Sequence, residues 1–89
     1  MYLRLKDIPN MYPMSMSTAI HRISEIENEI SEKRYPRASL IRDAKYTAVD
    51  EYVFRDYLAN RRMLRGKNTR KHVPPYQAPL EPWERSSAL

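Results

Sequence analysis

The stretch MSMSTAIHRISEIENEIS, residues 14–31, decides the fold. Ala19, Ile23, Ile26 and Ile30 recur at spacings of four, three and four, with Ile20 alongside. That is the stripe of a helix that buries one face. Ser15 or Ser17 can cap its start by accepting the orphan amide protons of the first turn, and Pro36 bounds it on the far side. With the stripe turned inward, the opposite face carries Ser17, Thr18, His21, Arg22, Glu25, Asn28 and Glu29. Donors and a cation fill the N-terminal half of that face and carboxylates the other half. A polyanion is therefore expected to approach only the N-terminal end.

Downstream, YPRASLIRDAKYTAV (residues 35–49) holds two short β-prone runs, Ser39-Leu40-Ile41-Arg42 and Tyr46-Thr47-Ala48-Val49, around Asp43-Ala44-Lys45. This predicts a hairpin with a basic tip, and Tyr46 is read either as filling the core beneath it, which is favoured, or as lying outward where it can meet the sugar edge of a nucleic acid. In TAVDEYVFRDYLANRRMLRG (residues 47–66), Asp50 is a natural N-cap, and Val49 and Phe54 can staple across it. Val53, Phe54, Tyr57 and Leu58 continue a helical face. Arg61, Arg62 and Arg65 suit the negative end of the helix dipole, and Gly66 is expected to stop the helix in a left-handed conformation. Upstream, YLRLKDIPNMY (residues 2–12) reads two ways. Leu3 and Leu5 alternate like an edge strand, while residues 6–11 suit one short helix, in which Pro9 must lie in the first turn.

With 89 residues the chain has room for one compact domain, burying about 60% of its unfolded surface. It has no cysteine to supplement that core. No apolar run approaches the ~20 residues that span a bilayer, and MYLRLKDIPN carries charges where a signal peptide needs apolar residues. A soluble cytoplasmic protein is expected, with no membrane partner. The net charge of +5 is unevenly spread: residues 1–31 are net −1, residues 32–66 net +4 and residues 67–89 net +2. Such a field suits a polyanionic partner. Four of the seven prolines fall in the last sixteen residues. Residues 1–66 are accordingly read as the domain and residues 67–89 as a Pro-rich extended or disordered tail. Tyr76, Leu80 and Trp83 are its large apolar groups, expected to pack on the domain or on another molecule.

Catalytic constellations are missing. Gly66 is the single glycine, so there is no glycine-rich phosphate loop. His21 and His72 are the only histidines and sit on different elements. His21 and Glu25, one turn apart, read as a surface ion pair, and Asp50, Glu51 and Asp56 as helix-capping carboxylates. The chain is read as a non-enzyme with no catalytic residue, cofactor or metal.

Short helix, tight turn, amphipathic helix, basic hairpin and further helix is the winged helix-turn-helix order. The stretches LKDIPNMYPMSMSTAIHRI (residues 5–23) and RYPRASLIRDAKYTAV (residues 34–49) carry a resemblance to the small excisionase and MerR-like winged-helix proteins of phages and mobile elements, over residues 3–64. Pro9 and Pro13 depart from the longer first helix of that family. The resemblance implies an α+β, mostly helical winged helix-turn-helix that binds double-stranded DNA. Its role would be that of an excisionase (a recombination directionality factor) or a small transcriptional regulator. DNA bending, cooperative self-association and an integrase or recombinase contact through the tail are further implications.

On this reading Ser17, Thr18, His21 and Arg22 face the major groove, Arg22 being placed to pair with guanine O6 and N7. Arg37, Arg42 and Lys45 of the wing meet phosphates. The rival expectation is a protein-interaction module, such as a phage-encoded inhibitor or assembly factor, which Tyr76, Leu80 and Trp83 among prolines favour. Binding of RNA or single strands is disfavoured by the helix-dominated layout.

Overall fold

The computed structural model, which describes residues 1–78, begins with strand β1 (Tyr2–Arg4), a 3-10 turn (Leu5–Asp7) and the short helix α1 (Ile8–Met11). The strand reading thus holds at Leu3 but not at Leu5, the single helix expected over residues 6–11 is divided between the 3-10 turn and α1, and Pro9 lies in the first turn of α1. The amphipathic stretch forms α2 (Met16–Ser31), capped by Ser15, whose hydroxyl accepts from the Thr18 amide at 3.2 Å. Ala19, Ile23 and Ile26 are buried and Ile30 packs at the edge of the core.

Lys33, with φ 68°, closes α2 as the left-handed residue of a Schellman turn. Its amide donates to the Ile30 carbonyl and the Arg34 amide to that of Glu29. β2 (Leu40–Asp43) and β3 (Tyr46–Asp50) form the hairpin, and β1 adds to the other edge of β3, giving an antiparallel sheet of order β1-β3-β2. Leu3 and Leu40 lie opposite Val49 on its two sides. This row faces the helices, and residues two apart share its face. Tyr46 has the opposite parity, so it stands on the outer face of the sheet with the Arg4 guanidinium 5.3 Å from its ring centre. It is not a core residue.

α3 (Glu51–Leu64) leaves β3 without a loop, because the Asp50 carboxylate takes the amides of Tyr52 and Val53 at 2.8 and 3.4 Å. Val53, Phe54, Tyr57 and Leu64 complete the core with Ile8 and the α2 stripe, and Tyr12 meets Phe54 edge-on. The fold is α+β: three helices against a small antiparallel sheet.

Gly66 does not adopt a left-handed conformation. A Cβ there would lie 2.4 Å from the Thr69 hydroxyl, which itself donates to the Met63 carbonyl at 2.7 Å. Glycine is needed for that close approach.

Residues 67–78 do not stand apart from the domain. After a turn at Arg70–His72, Val73 and Tyr76 pack against the core. Tyr76 meets Tyr35 edge-on at 5.2 Å, and Arg34 donates to the Pro74 carbonyl at 2.8 Å. Arg34 and Tyr35 also both donate to Asp56 at 2.8 Å, so Asp56 binds across the fold rather than capping its own helix. Leu80 and Trp83 lie outside the described residues.

Candidate nucleic-acid interface

Beside its buried stripe, α2 has two flanks and an outer ridge. The flank toward α3 is closed by ion pairs. Arg61 donates to both Glu25 oxygens at 2.8 and 3.2 Å, the Tyr57 hydroxyl to Oε1 at 2.8 Å and Arg22 to Oε2 at 3.0 Å, with Arg65 3.6 Å away. Burial opposes ionisation of Glu25, but the Arg61 and Tyr57 hydrogen bonds and the nearby Arg22 charge outweigh it and hold the carboxyl down to about 2. One turn on, the buried Glu29 is clasped by Arg70, whose Nη1 donates to Oε2 at 2.8 Å and whose Nη2 donates to Oε1. Burial pushes the Tyr57 hydroxyl up, and its bond to Glu25 adds to the shift.

These contacts divide the face expected to be uniformly exposed. Glu29 is buried and Thr18 half-buried, its amide engaged in the Ser15 cap. Arg22 keeps 19% of its side chain exposed and lies along the helix toward Glu25, so it does not project as a free base reader. The carboxylates expected to repel phosphate are instead matched by Arg22, Arg61, Arg65 and Arg70. What α2 leaves outward is a ridge of Ser17, Ile20, His21, Ser24 and Asn28, all exposed.

The other flank meets the sheet. Glu27 accepts from Arg42 Nε at 3.0 Å, which ties that hairpin cation back to α2. At the start of α2, Met16 lines a concavity together with Arg4, Lys6, Lys45 and Tyr46, three cations against the one carboxylate of Asp43. The hairpin tip, the end of β1 and the first turn of α2 therefore share one basic hollow. Arg4 and Lys6 belong to the net-negative N-terminal third of the sequence, where local charge does not mark them as part of a basic site. Only the pairing of β1 with β3 brings them beside Lys45. On the α3 side, His21, Ser24 and Asn28 share a second hollow with Arg65 and Arg70 and the carboxylates these arginines face, Glu25 and Glu29. Arg37 joins neither; it lines a separate hollow with Lys33, Arg34, Tyr35 and Tyr76.

No protein-family model, curated protein or solved structure matches the chain. Its class therefore rests on its own geometry, an α+β fold whose central helix is exposed along one ridge, with a basic hollow at its N-terminal turn and a charge-balanced one on the α3 side. Among the described residues, no His, Asp and Glu side chains gather as a metal site, and no helix is long and apolar enough to cross a membrane.

Proposed function

We propose that the chain is a winged helix-turn-helix protein that binds double-stranded DNA. In this reading α1 and α2 are the helix-turn-helix and the β2–β3 hairpin is the wing. One observation carries it: an outward ridge without formal charge runs along α2, with Arg4, Lys6 and Lys45 gathered beside its N-terminal turn, while on the α3 side Arg65 and Arg70 neutralise Glu25 and Glu29. A helix with its side chains is about 10–12 Å across, the width of the major groove. Cations beside such a helix meet the phosphates of a groove wall and fix the register, while the ridge meets base edges. Within this reading the protein works in the cytoplasm, as a recombination directionality factor or a small transcriptional regulator. A recombinase contact through the C-terminal segment falls to residues 79–89, because Tyr76 is already engaged with Tyr35.

The test is fluorescence anisotropy on a labelled duplex of mixed sequence across a salt series. Binding is expected to weaken steeply with salt. Replacing Lys6 and Lys45 together by alanine should reduce the slope of log K against log salt by roughly two units, one for each lost phosphate contact. A protein that ignores duplex at low salt, or a slope indifferent to the double substitution, would sink the reading.

A further inference from the structure

Ile20 stands at the middle of the α2 ridge with 48% of its surface exposed, and Met16, one turn earlier, with 40%. Its neighbours on the ridge are short or polar: Ser17, His21 and Ser24. Isolated exposed apolar residues are ordinary on a protein surface. This one is set apart by its position one turn from Met16, which lines the basic hollow of Arg4, Lys6 and Lys45, and by two further features. Ser17 and Ser24 carry only a hydroxyl beyond Cβ, so on their side a duplex approaches Ile20 without being held off by long side chains. A β-branched side chain in a helix is also nearly confined to one χ1 rotamer, so its methyl groups are presented in a fixed direction. The major groove offers one apolar group among its donors and acceptors, the 5-methyl of thymine. The cation expected to read guanine, Arg22, is meanwhile held by Glu25 at 3.0 Å.

We infer that Ile20 reads the thymine 5-methyl group in the major groove, so that the bound sequence is selected through thymine under the middle of α2 rather than through guanine at Arg22. This rests on the DNA-binding reading, and the experiment separates the two. The full-length protein is used to select duplexes from a random 20-base-pair library, and the selected thymidines are then replaced one at a time by deoxyuridine, which lacks only the methyl. At one position the replacement should weaken binding about fourfold, equivalent to ~0.8 kcal/mol for one buried carbon group. Ile20→Ala should bind the thymidine and deoxyuridine duplexes alike, with an unchanged helical circular-dichroism spectrum, since Ile20 is no part of the core. Ile20→Val should keep most of the discrimination. Deoxyuridine tolerated at every position, or discrimination that survives Ile20→Ala, would overturn the assignment while leaving DNA binding intact. Failure to retain any duplex would overturn the DNA-binding reading and this assignment with it.

Discussion

Glu25 shows how far one side chain's role depends on what faces it. On an isolated helix it is a solvated carboxylate that repels phosphate. Here three arginines and a tyrosine converge on it, and its carboxyl is held down to about 2 from an ordinary 4.5. The unfolded chain therefore binds a proton at pH values where the folded chain does not. The resulting stabilisation is fully present above about 4.5 and lost as pH falls toward 2. Urea titrations between pH 5 and 2.5 should show stability falling with pH, and Glu25→Gln should flatten that dependence. An equally steep fall in the variant would place the acid sensitivity elsewhere. Arg61 reaches Glu25 across 36 residues, so this partnership is written nowhere in the local spacing of α2.

At the scale of elements, local chemistry accounts for the boundaries. Asp50 begins α3 by taking two amides of its first turn, an arrangement that follows from its place between a β-prone run and a helical one. Asp50→Ala is expected to cost about 1–2 kcal/mol, readable as a lower urea midpoint with an unchanged m-value. A loss below about 0.5 kcal/mol would show that the direct β3–α3 junction holds without its cap. The end of α2 is different. Its left-handed residue is Lys33, in a position that usually takes glycine, so composition gave no stop signal there beyond Pro36. The hairpin was legible because alternation and turn residues are local. The third strand was not, because Leu3 acquires its partner, Val49, from far along the chain.

For the molecule as a whole, the C-terminal segment up to Ala78 is part of the domain. Arg70 neutralises the buried Glu29, Tyr76 covers Tyr35, and Arg34 holds the Pro74 carbonyl. A chain ending at Gly66 leaves Glu29 buried without its cation, which costs about 3 kcal/mol or more. For a domain of this size that lowers Tm by about 12–24 °C. A chain ending at Ala78 keeps all these contacts and should melt well above it. Arg70→Ala in the full chain should reproduce much of the loss. Equal melting of the two truncated chains would make residues 67–78 dispensable to the fold, with Glu29 finding water or another cation.

The sequence by itself determined the elements whose signals lie within a turn or two: the α2 stripe and its serine cap, the hairpin, and the Asp50 start of α3. Those signals are contacts between residues three or four apart, or alternation along a strand, and they need no tertiary partner. Tertiary structure decided which polar residues remain free. Glu25 and Glu29 look alike to any local rule, yet α3 and the chain after it take both, Arg22 turns onto Glu25 within α2, and the outward ridge passes to Ser17, Ile20, His21, Ser24 and Asn28. The same docking placed Arg4 and Lys6 beside Lys45 and left Arg37 elsewhere. The reason is physical. A charged side chain settles with whichever counter-charge folding brings within about 3 Å, and for this helix those partners lie 36 and 41 residues away.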